Sequence, residues 1–132
     1  MKELTKAEEQ IMQILWKIEK GFVNDILEEF QLPKPAYNTV STIVRILEKK
    51  GFVLHKAYGK THEYFPLISK DEYTKTYLKG FLNNYFSNSY QQLVSFFSND
   101  NNLSVHELEE IRTMMDQQIE KQKNQWTYQV LY

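Results

Sequence analysis

The hydrophobic pattern of this chain changes its period at Gly51, and this change limits the folds that the chain can adopt. Before Gly51, apolar residues recur at i, i+3, i+4 and i+7, the spacing of one helix face. These residues are Val40, Ile43, Val44 and Leu47. After Gly51, two short runs, residues 52–57 and 61–65, alternate in hydrophobicity on either side of Gly59. The sequence therefore predicts a helix that starts near Ala36, followed by a β-hairpin.

Two further helices are predicted before this segment. The run from Thr5 to Glu8 has the spacing of a capping box, in which the Thr5 hydroxyl accepts from the Glu8 amide and the Glu8 carboxylate returns to the Thr5 amide. The helix that it starts is expected to end at Gly21, and a shorter helix covers residues 23–30. Three helices followed by a hairpin are the order of a winged helix–turn–helix domain. We therefore predict a mainly α-helical fold with a small β-hairpin wing, the winged-helix domain occupying residues 1–68.

A second helical region is predicted in residues 69–132. Capping boxes begin at Ser69 and Ser104, and a polar stretch, residues 98–102, separates the two helices that they start. The first helix, which extends through Phe97, carries an apolar and aromatic stripe too broad for one helix to leave in water. Pairing with a second copy would bury it, so we predict a C-terminal helical dimerisation arm and a homodimer. The candidate dimerisation residues are Tyr77, Phe81, Tyr85, Leu93, Leu108, Ile111 and Met115.

Two features of this region have more than one interpretation. The aromatic stripe of residues 73–97 is the composition of a packed core or interface, and a pocket for a small-molecule effector is the secondary possibility. The C-terminal tail alternates apolar and polar residues, which leaves open whether it packs on a partner subunit or binds something else. Its apolar positions are Trp126, Tyr128, Val130 and Tyr132.

Positive charge is concentrated in one segment, although the net charge of the chain is −1. Residues 33–62 contain 6 basic residues and 1 acidic residue, a net charge of +5. Residues 1–32 and residues 63–132 each have a net charge of −3. Because the acidic flanks would repel a polyanion, this distribution favours one binding orientation and indicates double-stranded DNA as the partner.

The polar face of the third helix carries side chains suited to a DNA groove. Amides and hydroxyls read base edges, and arginine binds guanine or phosphate, whereas an ordinary solvated helix face is the alternative. The candidates on the helix are Asn38, Ser41, Thr42, Arg45 and Lys49, with Tyr37 placed to pack on sugar or backbone. On the hairpin, Lys56, Lys60 and Thr61 are the candidates for phosphate contact, the alternative again being a solvated surface.

Several classes of function are disfavoured by what the sequence lacks. It contains no cysteine, which excludes disulfides, thiolate metal sites and thiol catalysis. His55 and His62 are expected to face each other across the hairpin, but without a carboxylate or thiol partner they predict no metal site. No catalytic triad or phosphate-binding glycine loop emerges, so we expect neither an enzyme nor a cofactor. No apolar run or leader-like segment is present, so we expect a cytoplasmic protein without membrane insertion.

Four motifs in this chain resemble the BlaI/MecI penicillinase-repressor family. The first helix reads L-T-x-A-E-x-x-I-M-x-I-L-W and the third reads N-T-V-x-T-I-V-R-x-L-E-K-K-G. The hairpin reads K-x-x-G-K-x-x-x-Y, and the segment from Leu103 to Ile111 reads L-S-x-x-E-L-E-E-I. The resemblance covers most of the chain. It implies a winged-helix domain with a helical dimerisation arm, and base-reading roles for Asn38, Thr39, Ser41 and Thr42.

The resemblance also implies a mode of control. Members of the family bind dyad-symmetric operators as dimers, and a membrane sensor-transducer typically relieves repression by triggering proteolysis within the arm. By alignment, the cleavage segment would fall at Phe96 and Phe97. The cysteine cluster of the copper-responsive branch is absent here, so thiolate copper sensing is not expected.

The sequence thus predicts a homodimeric transcriptional repressor that blocks transcription from its operator. Two rival hypotheses are retained. A winged-helix module that docks another protein would not need the segregated positive charge. An architectural DNA binder would show the same salt dependence but little preference between DNA sequences.

Overall fold

The computed structural model describes residues 2–131, and it confirms a mainly helical fold with one two-stranded hairpin. The elements in chain order are α1 (Lys6–Ile18), α2 (Val23–Glu28), α3 (Tyr37–Lys49), β1 (Val53–Tyr58), β2 (Thr61–Pro66), α4 (Lys70–Phe86), α5 (Tyr90–Ser98) and α6 (Val105–Leu131). The chain forms two compact units, and the boundary between them lies within α4, after Gly80.

The core of the first unit brings together the apolar faces of α1, α2 and α3 and the inner face of the hairpin. Its fully buried side chains are Ile11, Met12, Leu15, Ile26, Val40, Val44, Leu47, Phe52 and Val53. The predicted apolar face of α3 is confirmed, because Val40, Val44 and Leu47 all lie in this core. Ile43 is half-buried against it. The opposite face of α3 is left in solvent.

The predicted helix starts are confirmed at three positions. The hydroxyls of Thr5, Ser69 and Ser104 each accept a hydrogen bond from the amide three residues later, at 3.1–3.2 Å. The reciprocal half of the first capping box does not form. The Glu8 carboxylate instead accepts from Lys50 Nζ at 3.0 and 2.7 Å, joining the start of α1 to the end of α3.

The sequence predicted that α1 ends at Gly21, but this prediction is wrong, because Gly21 lies beyond the helix and pairs with the sheet. The helix stops at Ile18, and Glu19 follows in the left-handed region with φ 71°. The Gly21 amide donates to the Tyr64 carbonyl at 2.9 Å, and the Tyr64 amide donates back at 2.8 Å. A Cβ on Gly21 would lie 2.9 Å from Ile18 Cδ1 and 3.0 Å from Asp25 Cβ, so a larger residue would have to displace these side chains. The bridge places the start of α2 beside the hairpin.

The hairpin turns at Gly59, which has φ 63°, and its register places alternate residues on opposite faces. The inner face carries Val53, His55, Ala57, His62 and Tyr64, of which Val53 and Tyr64 are buried. Residues of the outer face include Leu54, Lys56, Glu63 and Phe65. Gly51, with φ 84°, ends the turn between α3 and β1.

The first part of α4 packs on the first unit. Trp16 Nε1 donates to the Ile68 carbonyl at 2.8 Å, and the Tyr73 hydroxyl donates to Glu9 Oε1 at 2.8 Å. The Tyr73 ring lies 5.6 Å from that of Trp16 and 6.0 Å from that of Phe52. Burial, and then the hydrogen bond to Glu9, raise the pKa of the Tyr73 phenol. The first compact unit therefore extends past residue 68, the last residue predicted for the winged-helix domain, to Gly80.

Where the sequence predicted one helix through Phe97, the structure has two, α4 and α5. α4 ends at Phe86, because Ser87 and Asn88 both adopt left-handed backbone, with φ 50° and 61°. The Ser89 hydroxyl then caps α5 by accepting from the Gln92 amide at 3.1 Å. The apolar residues keep helical spacing across this break, so the hydrophobic pattern does not reveal it. Serine and asparagine residues form the turn and the cap. A cluster of aromatic rings packs around the break: Phe81, Tyr85, Phe86 and Phe96.

The alternating tail is helical rather than extended. α6 runs for 27 residues to Leu131 without an internal glycine or proline, so the alternation of Trp126, Tyr128 and Val130 does not interrupt it. The fourth alternating position, Tyr132, lies outside the described residues. Within residues 2–131, no helix is both long and apolar enough to span a bilayer.

Candidate nucleic-acid interface

The solvent face of α3 presents most of the predicted base-reading side chains together. The exposed residues are Asn38, Thr39, Thr42, Arg45 and Lys49, and Ser41 beside them is half-buried. Ala36 precedes the helix without a side-chain cap, and the first turn contains no acidic residue. The helix therefore begins with uncapped amides and no carboxylate, a favourable local field for a phosphate group.

Arg45 lies along this face rather than extending from it. Its Nε donates to the Ser41 carbonyl at 3.3 Å, and Nη2 donates to the Ser41 hydroxyl at 3.4 Å. These bonds orient the guanidinium toward the side of α3 that carries Ser41. Because the group remains exposed, its other N–H donors are available to an external acceptor.

A cleft separates this side of α3 from the tip of the hairpin, and we call it the α3–wing cleft. Five predicted DNA contacts line it: Tyr37, Ser41, Arg45, Lys60 and Thr61. α2 and its preceding residue contribute Phe22, Val23, Asn24 and Asp25, and β2 contributes His62 and Tyr64. The fold thus brings residues from α3 and the hairpin, well separated in sequence, to one surface.

The remaining predicted hairpin contact, Lys56, lies elsewhere. It is on the outer face of β1, opposite Glu63 of β2, and its Nζ lies 5.2 Å from the centre of the Tyr58 ring. Thr61 is at the turn, where its hydroxyl donates to the Tyr58 carbonyl at 2.9 Å. Lys60 and Thr61 therefore share the cleft with α3, whereas Lys56 faces the other side of the hairpin.

Part of the positive segment is neutralised within the fold. Lys50 Nζ lies 2.7 Å from Glu8 Oε2, and the Glu8 side chain is only 7% exposed. Lys50 also donates to the Glu3 carbonyl at 3.1 Å. This lysine therefore holds α1 against α3 and does not face an external polyanion, so the field that reaches DNA is smaller than the sequence count suggests.

A pair of stacked histidines lines the inner face of the hairpin beside the cleft. The rings of His55 and His62 are parallel within 5°, with centroids 3.9 Å apart, which confirms that they face each other. The prediction that they lack a carboxylate is wrong, because Glu48 Oε2 of α3 lies 2.6 Å from His55 Nδ1. Two imidazoles and one carboxylate still do not form a metal site: the described residues contain no group of three such side chains that could hold a metal ion.

Tyr64 connects this pair to the charges of α3. Its ring meets those of His55 and His62 edge-on, at 5.7 and 6.1 Å. Burial, and then the Glu48 carboxylate, raise the pKa of the Tyr64 phenol, while Arg45 acts in the opposite direction. Charges on both Glu48 and Arg45 therefore act at Tyr64, which contacts the histidine pair. Sequence reasoning considered His62 only as a metal ligand and missed it as a cleft residue, although its alternation with Tyr64 places both on the inner face.

The predicted dimerisation residues are unburied or half-buried in the single chain. Tyr77, Tyr85 and Met115 are 59%, 72% and 56% exposed. The other four, Phe81, Leu93, Leu108 and Ile111, are half-buried. Of the predicted cleavage residues, Phe96 is exposed and Phe97 is half-buried, both within α5.

Known proteins match this chain along most of its length. A family model described as penicillinase repressor matches residues 4–117. The methicillin resistance regulatory protein MecI of Staphylococcus aureus (strain N315) is 30% identical over 115 residues, 86% of this chain and 94% of that protein. The penicillinase repressor of Bacillus licheniformis is 24% identical over 122 residues, 92% of this chain and 95% of that protein. The solution structure of the DNA binding domain of the repressor BlaI covers 55% of this chain and 94% of that one, with 27% identity and a TM-score of 0.47. Because the family model matches far more than half of it, the chain belongs to the penicillinase repressor family.

Proposed function

We propose that this chain is a DNA-binding transcriptional repressor that acts as a homodimer on a dyad-symmetric operator. The observation that carries the proposal is the surface formed by α3 and the hairpin tip. There, amide, hydroxyl and guanidinium groups on α3 lie next to Lys60 and Thr61 across one cleft. The names of its relatives, which are repressors and resistance regulators, support this reading.

In this proposal α3 enters the major groove and its exposed face reads base edges. Asn38 and Thr42 are the candidate base contacts, because amides and hydroxyls pair with base edges. Arg45, Lys60 and Thr61 contact phosphates and set the orientation of α3 in the groove. Repression is steric, since a protein seated on the operator excludes polymerase.

We propose that the arm, residues 69–132, joins two copies. The exposed apolar side chains of α4 and α6 support this, because pairing with a second copy of the chain would bury them. A dimer makes binding of the second half-site intramolecular, which raises affinity without new contacts. Half-sites about one helical turn apart then match the twofold symmetry.

The arm is also the proposed point of control in the cytoplasm. Cleavage near Phe96 and Phe97, by a protease acting with a membrane sensor-transducer, would separate the two DNA-binding domains. Phe96 is 70% exposed, but both residues lie in the helix α5. A protease binds extended chain, so α5 has to unfold locally before cleavage at this bond.

Selection from a pool of random-sequence duplexes tests the proposal. The enriched duplexes are then titrated with the full-length protein by fluorescence anisotropy at several salt concentrations. An enriched dyad, together with a steep linear dependence of log affinity on log salt, is the expected result. Salt-dependent binding without an enriched motif would indicate an architectural DNA binder. Absence of binding at low salt would contradict any DNA-binding function.

A further inference from the structure

His62 has no polar partner of its own, although it lies beside charged groups. The His55 imidazole is engaged by Glu48 at 2.6 Å, whereas His62 makes only ring contacts, with His55 and Tyr64. Among residues 2–131, neither nitrogen of His62 has a hydrogen-bond partner. The side chain is half-buried and lines the α3–wing cleft. Its nitrogens are therefore free to bind a group that enters the cleft.

Charged side chains from α2, α3 and the hairpin lie around the His62 imidazole. Arg45 from α3 and Lys60 from the hairpin line the same cleft, and both are cations. The His55 ring, which lies against Glu48, is stacked 3.9 Å from the His62 ring, so positive charges on both rings would repel each other. The carboxylate of Asp25 from α2 acts in the opposite sense, but it already accepts from the Phe22 amide at 2.8 Å. An imidazolium at His62 would therefore lie among cations, with no carboxylate of the described residues bonded to it.

A DNA phosphate in the cleft would reverse this balance. It would accept hydrogen bonds from Arg45 and Lys60 and offset the repulsion between their charges and an imidazolium at His62. We propose that His62 is a further phosphate contact of the α3–wing cleft, and that DNA binding by this chain takes up a proton on His62. This inference rests on the proposed function, because the phosphate belongs to the bound duplex.

The direction of the pH dependence follows from linkage. Since the bound phosphate favours protonated His62, protonation of His62 must favour the bound state by the same free energy. Affinity for DNA therefore rises as pH falls through the range of about pH 8 to pH 6, where histidine side chains titrate. Because phosphates are common to every duplex, the dependence should appear with specific and random DNA alike.

The experiment measures affinity against pH at constant ionic strength, using full-length protein. Two duplexes of equal length are titrated by anisotropy: one with the enriched dyad and one of random sequence. We expect the dissociation constant to fall by up to about tenfold per pH unit for each proton taken up. Calorimetry of the parent protein in two buffers with different ionisation enthalpies counts that proton directly.

Three variants assign the effect. His62→Gln keeps a hydrogen-bonding side chain without a titratable charge, so its affinity should stay near the high-pH value of the parent at every pH. His62→Lys keeps a positive charge across the whole range, so it should bind tightly and independently of pH. His106→Gln is the matched control, because His106 lies on α6 and pairs only with Glu110, so it should retain the parent profile. Thermal unfolding by circular dichroism checks that each variant is folded.

The outcomes separate the inference from the function on which it rests. Failure of the parent to bind either duplex at low salt at any pH overturns both. Binding that is independent of pH, with no proton uptake in calorimetry, overturns the inference alone. A pH dependence that persists unchanged in His62→Gln also overturns the inference alone, because the titrating group is then elsewhere.

Discussion

Individual side chains of the proposed interface have positions that suit distinct roles. Lys60 extends from the hairpin tip into the α3–wing cleft, where it can reach the backbone of a duplex in the groove. Asn38 lies on the outer face of α3, where an amide can reach base edges. Lys50 belongs to the same positive segment, but its charge is paired with the Glu8 carboxylate. Charge counts in a segment therefore overstate the charges that a ligand meets.

Replacing Lys60 with alanine should weaken DNA binding without changing sequence preference. Each lost phosphate contact lowers the salt slope by about 0.9 per protomer, because fewer counterions are released. The measurement is anisotropy on the enriched and random duplexes at several salt concentrations. Lys17→Ala is the control, since Lys17 pairs with Glu29 at 2.7 Å on a different surface. An unchanged slope in Lys60→Ala would remove this residue from the interface.

The raised pKa of Tyr73 predicts that the folded protein loses stability at alkaline pH. Its folded pKa lies above the ordinary value, so its stabilising effect is complete below the unfolded pKa of about 10 and is lost as pH rises toward the folded value. Tyr73→Phe removes the bond to Glu9, which should cost about 1–3 kcal/mol at neutral pH. The difference in unfolding free energy between parent and variant should then shrink above about pH 10.

Urea unfolding followed by circular dichroism from neutral to alkaline pH measures this difference. Tyr37→Phe is the control, because Tyr37 is half in solvent and should show no such trend. A difference between parent and Tyr73→Phe that is constant across this range would contradict the assignment of the proton to Tyr73.

At the scale of elements, α1 and α3 start in opposite ways although both begin with an extended residue. Thr5 caps α1 with its hydroxyl, whereas Ala36 leaves α3 without a side-chain cap. An uncapped start costs stability, but it leaves amides free at the start of the helix that we propose enters the groove. The capped start of α1 therefore favours stability, whereas the start of α3 is left uncapped at the proposed binding surface.

Substituting these two positions should shift stability in opposite directions. Thr5→Ala should destabilise the domain by about 1 kcal/mol, because the Glu8 amide loses its acceptor. Ala36→Ser should stabilise it by about 0.5–1 kcal/mol, because the extended backbone at residue 36 suits a cap. Urea denaturation of both variants beside the parent measures the changes. Equal destabilisation by both would show that residue 36 cannot act as a cap.

At the scale of the whole molecule, one chain leaves its C-terminal unit without a buried core comparable to that of the first unit. Within residues 81–131, only Leu82 is buried, at 3% exposed. The side chains of α6 are exposed or half-buried. A helix such as α6, with 27 residues and a row of Leu108, Ile111, Met115 and Ile119, needs a partner for that row. This is why dimerisation, proposed for the arm, would be decisive for operator affinity.

Met115→Glu tests this requirement. Because Met115 is 56% exposed in the single chain, the substitution should leave the monomer folded while placing a charge in the dimer interface. We expect a monomer by sedimentation, and a loss of affinity for the enriched dyad of about 100-fold or more. Gln117→Glu adds the same charge to the other side of α6 and should do neither. A Met115→Glu variant that stays dimeric would exclude this row from the interface.

Sequence periodicity and capping residues were enough to predict most of the fold, because both act within a few residues. The apolar row of α3, the alternation after Gly51 and the caps at Thr5, Ser69 and Ser104 are local signals, and each is confirmed. The division of α4 from α5 was missed because apolar spacing continues across Ser87 and Asn88. The candidate DNA-reading face of α3 was visible for the same reason, since one helix sets its own faces.

The contacts between distant segments were decided only by the tertiary structure. Packing of α1 against α3 brings Glu8 to Lys50, which removes a cation from the predicted field. The bridge between Gly21 and Tyr64 places α2 beside the hairpin, and α3 brings Glu48 to His55. Which side chains meet in these pairs depends on the angle and depth at which whole elements pack. The sequence by itself therefore determined the elements and their faces, whereas the core that positions those elements decided which charges remain for DNA.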